Sequence, residues 1–144
     1  MSSAGTEIEG SHQMLEGKCH CGEAGWTLKD VPESVTACNC SVCSRYGVLW
    51  AYGYIDDDIH TTGKTTTYRR KDGGAIDFRF CTNCGCVTDY VKTAAEADGR
   101  HRTAVNARMT DPALIFDLAI VQFDGLETFE DLPRDGRTVR DMWF

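Results

Sequence analysis

Eight cysteines in three tight clusters constrain this chain more than any other feature. The clusters are Cys19-His20-Cys21, Cys38-Asn39-Cys40-Ser41-Val42-Cys43 and Cys81-Thr82-Asn83-Cys84-Gly85-Cys86, with no cysteine between Cys43 and Cys81. An even number of cysteines is compatible with a disulfide framework, but the spacing argues against one. Neighbours in C-x-C rarely bridge each other, because a disulfide needs Cα atoms about 4.4–6.8 Å apart with converging side chains. A framework would also spread its cysteines through the loops. Clustered cysteines in a reducing compartment instead hold metal.

Local geometry supports that reading. In extended chain, residues i and i+2 face the same way, so Cys19 and Cys21 present two sulfurs on one side. Cys81 and Cys84 lie in C-x-x-C-G, a knuckle whose turn aims backbone N–H groups at the first thiolate, with Gly85 free to take positive φ. Cys19, Cys21, Cys81 and Cys84 together make a closed tetrahedral set, a structural zinc site that ties the start of the fold to a strand far along the chain. The middle cluster has three ligands in one segment. Cys38 and Cys40 share a face at a strand end, and Cys43 lies in the first turn of a short helix. Three protein thiolates and one free position are the arrangement of a catalytic zinc. Cys86 is the one remaining candidate to close that position; it is otherwise a core thiol or a redox-sensitive thiol beside the metal.

The rest of the chain bounds the fold. Its 144 residues suit a single domain over residues 14–144, preceded by a small, polar, aperiodic stretch, 1–13, that reads as a flexible extension. Alternating and β-branched patterns predict strands at 24–28, 35–38, 48–54, 65–68, 76–80, 87–91, 102–105 and 119–124. Asp72-Gly73-Gly74 predicts a hairpin turn. Short helical turns are expected at 41–46, with Ser41 capping and Gly47 stopping, and at Asp111-Pro112. The fold is therefore mainly β. The apolar C-terminal residues Met142, Trp143 and Phe144 are expected to dock.

Composition narrows the partners. A net charge of −7 and a pI near 5.0 exclude an ordinary nucleic-acid binder. No apolar run approaches the roughly 18 residues of a membrane helix, and the N-terminus lacks a signal-peptide order. A cytoplasmic protein is expected.

Taken in order, Gly17-x-Cys19-His20-Cys21-Gly22, Trp26, Cys38-x-Cys40-Ser41-x-Cys43-x-x-x-Gly47 and Phe80-Cys81-x-x-Cys84-Gly85 resemble the glutathione-dependent formaldehyde-activating enzyme family, which shares a domain with centromere protein V. The resemblance spans residues 14–125. It implies a β-tent fold of stacked antiparallel sheets, two Zn2+ ions per chain, Cys19, Cys21, Cys81 and Cys84 as structural ligands, and Cys38, Cys40 and Cys43 as the catalytic set. It implies a carbon–sulfur lyase or synthase acting on adducts of a small-molecule thiol and an aldehyde, such as S-hydroxymethylglutathione. Two features depart from the family pattern: Ser44 rather than a basic residue follows Cys43, with Arg45 one place later, and Cys86 lies outside the family's ligand set. Arg45 and His20 are candidates to bind a carboxylate or shuttle a proton. Tyr46, Trp50 and Tyr52 either line a pocket over the metal or belong to the core, and His60 and His101 read as exposed. The alternatives are a non-enzymatic zinc module that binds another protein, and zinc storage or thiol redox sensing. A homodimer is compatible with the aromatic strands.

Overall fold

A computed structural model of the chain describes residues 13–143. The expected extension at 1–13 therefore lies outside the described residues except for Gln13, which is exposed coil, and Phe144 lies outside them as well. The strands in chain order are β1 (Leu15–Lys18), β2 (Gly25–Leu28), β3 (Ser34–Cys38), β4 (Trp50–Tyr54), β5 (Ile59–Thr62), β6 (Thr65–Arg69), β7 (Ile76–Cys81), β8 (Val87–Lys92), β9 (Arg102–Asn106), β10 (Ala119–Asp124) and β11 (Glu130–Asp131). One short α-helix, α1 (Ser41–Tyr46), follows β3, and 3₁₀ turns form at Ala107–Met109, Pro112–Leu114 and Val139–Met142. No described helix is long and apolar enough to cross a membrane.

Among the described residues the strands form two sheets. The larger runs β11-β10-β3-β4-β9-β8-β7-β6, and the smaller runs β1-β2-β5. The mainly β, two-sheet expectation is met. The sequence patterns locate the core strands of the large sheet, whereas β1, β5 and β11 carry little apolar alternation and go unmarked. All ladders between the named strands are antiparallel but one: β10 runs parallel to β3, with Ala119 opposite Ser34 and Phe123 opposite Cys38. A parallel neighbour needs a long crossover, and here six strands intervene, so β10 returns to β3 only after the rest of the sheet is built. The turn between β6 and β7 is longer than a two-residue hairpin, since Arg69 pairs with Asp77 and the chain from 70 to 76 bridges them.

Period-two alternation gives the large sheet an apolar face on each side. Leu49 and Ala51 pack with Leu15, Trp26, Leu28, Val35, Ile59, Val105 and Ile120 between the two sheets. Val48 and Trp50 point the other way and pack with Cys43, Phe78, Tyr90 and Ala104 beneath α1. Met142 and Trp143 dock against the first cluster, as their apolar character requires. An ion pair within the large sheet also reaches the small one. Asp89 on β8 is fully buried and accepts from Arg79 Nε at 2.6 Å and from Thr88 Oγ1 at 3.1 Å. Arg79 in turn reaches Thr61 Oγ1 on β5 at 3.4 Å. Burial pushes the Asp89 carboxyl upward, and the Arg79 charge opposes that shift.

Gly17 shows how closely the small sheet packs. It lies opposite Trp26 on β2, and a methyl group there would overlap the Trp26 indole, which is 1% exposed. Gly17→Ala should therefore destabilise the fold by about 1–3 kcal/mol, the usual cost of overpacking a core. Thermal or denaturant unfolding of the metal-loaded variant beside the parent measures this.

Candidate metal centres and cavity

The first thiol cluster brings the β1–β2 turn of the small sheet against the end of β7 in the large one. The sulfurs of Cys19, Cys21, Cys81 and Cys84 all lie within 4.8 Å of one another. Cys19 to Cys21 and Cys21 to Cys81 are each 3.6 Å apart. A tetrahedral ion with metal–sulfur bonds near 2.3 Å places its sulfurs about 3.8 Å apart, so the set fits such an ion without rearrangement. Backbone N–H groups surround it. Ala24 donates to Cys19 at 3.3 Å, and Asn83 and Cys84 each donate to Cys81 at 3.4 Å. The N–H groups of Cys21 and Cys86 lower the Cys84 thiol to about 5. These donors favour thiolates and so favour a bound cation. Gly85 adopts φ 80° and its N–H bonds back to the Cys81 carbonyl at 2.9 Å, which closes the knuckle as its sequence indicates.

The second cluster, Cys38, Cys40 and Cys43, also gathers its three sulfurs within 4.8 Å. Its local structure corrects the sequence reading in one respect. The residue capping α1 is Cys40, and Ser41 is the first residue inside the helix. The Cys40 sulfur accepts from the Cys43 N–H at 3.3 Å, as a serine oxygen would at an N-cap, so one contact both starts the helix and aims a ligand. Gly47, at φ 68°, ends the helix as expected, with its N–H on the Cys43 carbonyl. Cys38 accepts from the Cys40 N–H at 3.5 Å, and Cys43 accepts from Trp50 Nε1 at 3.3 Å. Hydrogen bonding from Cys43, with support from the Cys40 and Gly125 N–H groups, lowers Cys38 to about 6 against the effect of burial. Cys43 is driven the opposite way by Cys38 and by burial.

A loop far along the chain completes this cluster. Because Phe123 pairs with Cys38, the residues after β10 pass directly over the sulfurs. Gly125 packs so tightly that an added Cβ would stand 2.9 Å from Cys38 Sγ and 3.0 Å from Cys40 Cβ. Asp124 holds the loop in place. Its carboxylate accepts from Asn39 Nδ2 at 3.1 Å, from the Glu127 and Thr128 N–H groups at 3.1 Å each, and from Thr128 Oγ1 at 2.9 Å. Asn39 Oδ1 accepts from the Leu126 N–H at 3.0 Å. Phe129 closes the loop in the left-handed region at φ 59°, its ring edge-on to Phe123 at 4.9 Å. That conformation is costly for an aromatic residue, and the Phe129 N–H bond to the Asp124 carbonyl at 2.6 Å helps impose it. No pattern in the sequence marks 124–129 as part of the site; the Asp and Asn side chains are the only local signal, and they read as ordinary turn residues.

The three sulfurs open onto a cavity of about 300 Å³. Its walls are largely apolar and aromatic: Val42, Trp50, Ile76, Phe78, Phe123 and Phe129, with Tyr52, Tyr90, Arg70 and Lys92 adding polar groups. Tyr90 meets Trp50 and Phe78 edge to face, with centroids 4.8 Å and 5.7 Å apart, and Trp50 lies tilted against Phe78 at 6.3 Å. Tyr90 is buried, which pushes its phenol up, while Tyr52 stands partly exposed at the cavity edge. The two sequence readings of the aromatics thus both hold for Trp50, a core residue that lines the cavity and donates to a ligand sulfur. Tyr52 lines the cavity too. Tyr46 packs edge-on to Phe78 at 5.6 Å but faces neighbouring clefts instead.

The remaining candidates stand elsewhere. Arg45 is exposed, bonds to the Ser41 carbonyl at 2.8 Å and lines the clefts on the other side of α1, so the structure does not bring it to the three sulfurs. Cys86 packs beside Cys19 and Cys81, its sulfur accepting from the His20 N–H. It therefore adjoins the first cluster and does not close the second, because the turn at Gly85 carries it to the side of Cys84 rather than across the sheet. His20 is exposed and contributes its backbone there, His60 is exposed, and His101 meets the Lys92 carbonyl at 2.9 Å.

Two outcomes follow from the loop geometry. Gly125→Ala should weaken ion binding at Cys38, Cys40 and Cys43 while leaving the Cys19 cluster loaded, as read by competition with a chromophoric chelator. The Asp124 carboxyl is held to about 2, below its ordinary 3.8, chiefly by the Thr128 N–H and Asn39. Its hold on the loop is thus complete above the ordinary value and lost only as pH falls through about 2. The Glu127 and Thr128 amide shifts should titrate with a midpoint near 2 rather than near 3.8.

No curated protein matches the chain. Among solved structures, a crystal structure of a Rhodobacter sphaeroides protein is similar, with a TM-score of 0.53 and 23% sequence identity over 66% of this chain and 86% of that one. At that identity the likeness concerns the fold alone. The model of the glutathione-dependent formaldehyde-activating enzyme family matches residues 14–113, a stretch that contains every cysteine of both thiol clusters and stops short of the 124–129 loop. The chain belongs to the glutathione-dependent formaldehyde-activating enzyme family.

Proposed function

We propose that the chain is a zinc-dependent carbon–sulfur lyase, or in reverse a synthase, that makes and breaks the bond between the sulfur of a small-molecule thiol and the carbon of an aldehyde. The observation that carries this reading is the three-sulfur cluster opening onto an aromatic cavity, with no fourth cysteine among those that line it. Zinc suits both donor sets, since soft thiolates select it and their spacing matches its tetrahedral bonds. Cys19, Cys21, Cys81 and Cys84 would hold a structural ion. Cys38, Cys40 and Cys43 would hold the second.

Zinc bound there supplies Lewis acidity and keeps a substrate sulfur deprotonated near neutral pH. The chain's own residues do the rest. The Cys40, Cys43 and Gly125 N–H groups and Trp50 Nε1 fix the ligand sulfurs and offset their charge. Phe78 and Phe123 give the adduct an apolar wall, with the exposed Phe129 at its rim. Tyr52 and Tyr90 line the cavity with phenol Oη–H groups that can donate to an aldehyde or hydroxymethyl oxygen. The position of Cys86 beside the first cluster favours this reading over a purely structural second ion and a protein-binding module.

The zinc-loaded protein should bind two ions per chain and accelerate the equilibration of formaldehyde with a thiol, followed by NMR exchange. Cys40→Ser is the informative variant. Serine caps a helix well, so α1 should form and the fold survive, while the second ion is lost. Acceleration should drop by at least the roughly 10–100-fold that loss of an outer partner of a metal site costs. An unchanged equilibration rate with several thiols and the fully loaded protein would overturn the proposal.

A further inference from the structure

Around the three sulfurs, several apolar side chains are left without full cover. Trp50 and Phe78 are buried in the cavity wall, but Val42, Ile76 and Phe123 are only half-buried, and Phe129 is 75% exposed. Phe129 is also strained. Among the described residues only Asp56 and Phe129 carry a side chain at positive φ, 66° and 59°. An aspartate tolerates that region, whereas it is costly for an aromatic residue. The loop nonetheless holds the ring in place. The Phe129 N–H ends on the Asp124 carbonyl, Glu130 pairs with Asp124 as β11 begins, and the ring meets Phe123 edge-on at 4.9 Å. A large apolar ring held in a costly conformation and turned to water is doubly unfavourable, and such arrangements persist at ligand clamps. The two cations that border the cavity are engaged elsewhere. Arg70 holds Asp72 through two bonds of 2.9 Å each, and Lys92 is exposed at the end of β8, where it also borders the cleft containing Asp77. A hydroxymethyl group fills only a small part of a cavity of about 300 Å³, so most of the apolar wall is left for the body of the thiol.

We infer that Phe129 is a specificity-determining residue whose ring closes over an apolar group of about phenyl size carried by the thiol, while the thiol sulfur lies against Cys38, Cys40 and Cys43. Such a group covers Val42, Ile76, Phe123 and Phe129 together, which the chain by itself leaves in contact with water. A polar peptide thiol such as glutathione is the poorer guest, because its amides lose water against that wall and gain no hydrogen bond in return. The loop fixes the ring beforehand, so little ordering is needed when the guest arrives. Phe129 takes no part in forming or breaking the carbon–sulfur bond. This inference rests on the proposal that a thiol is the substrate.

The test uses the zinc-loaded full chain and three thiols: benzyl mercaptan, 2-mercaptoethanol and glutathione. Calorimetry should rank benzyl mercaptan first, about tenfold or more tighter than 2-mercaptoethanol, the low end for burying an aromatic side chain. NMR of that complex should show cross-peaks between the benzyl ring and the Phe129 ring. Phe129→Ala should weaken benzyl mercaptan by roughly two- to tenfold, the range of an aromatic pair, and move 2-mercaptoethanol much less; Phe129→Tyr should restore most of the loss. Phe129→Gly, which relieves the backbone, should unfold at a higher temperature than Phe129→Ala yet bind benzyl mercaptan no better. Glutathione or 2-mercaptoethanol binding as tightly as benzyl mercaptan, equal loss of all three thiols in Phe129→Ala, a benzyl mercaptan complex without those cross-peaks, or no binding of any thiol would each overturn the inference. Selective binding without acceleration of thiol–formaldehyde exchange would remove the proposed activity and leave the role of Phe129 standing. Acceleration without selectivity would do the reverse.

Discussion

The convergence of Cys19 and Cys21 with Cys81 and Cys84 is the constraint on which the rest of the molecule depends. The two cysteine pairs come from different sheets and from positions 60 residues apart in sequence, yet their sulfurs approach to 3.6 Å. Four thiolates cannot share such a volume without a cation, because their mutual repulsion in a partly buried setting costs several kcal/mol. An ion bound there converts that repulsion into a link between the small sheet and the end of β7. The backbone prepares for it: N–H groups from both knuckles point at the sulfurs. Apolar packing of Leu49, Val35 and their neighbours also joins the sheets, and Arg79, between Asp89 and Thr61, adds a polar tie.

With the sheets joined, the second cluster follows from one register. The parallel pairing of β10 with β3 sets Phe123 beside Cys38, and the chain must then turn over the sulfurs. A residue with a side chain would not fit at 125, so glycine allows the loop to close and lends its N–H to Cys38. Asp124 and Asn39, each on one side of that pairing, clasp the loop through five hydrogen bonds. The same turn delivers Phe123 and Phe129 to the cavity wall. Ligand geometry, shielding from water and cavity shape are thus set by one strand pairing, and a slip of a single residue would disturb all three.

The large sheet separates stability from chemistry by using its two faces differently. One face, through Leu49, Ala51, Val35 and Val105, packs on the small sheet and is apolar apart from a few buried polar groups such as Asp89, opposite Val105. The other carries Trp50, Phe78 and Tyr90, which are buried yet border the cavity. Trp50 takes part in both roles, since its ring packs in the core while its indole N–H ends on Cys43. Aromatic residues suit such a wall because they exclude water with apolar faces and still present a polar edge.

What depends on local spacing is legible in the sequence alone: the two cysteine sets that could hold a metal, the knuckle turn at Gly85, the helix stop at Gly47 and the apolar strands of the large sheet. C-x-C and C-x-x-C fix sulfur directions within a few residues, so they are legible without a fold. The sequence did not mark β1 and β5, whose alternation is weak, nor the choice of Cys40 over Ser41 as cap, since either side chain satisfies the helix. Tertiary structure alone decided where Arg45 and Cys86 stand, and that Gly125, Phe129, Arg70 and Lys92 share a cavity with Cys38. Those residues meet only through pairings between distant strands, and which strands neighbour each other depends on the burial of whole faces rather than on any short pattern along the chain.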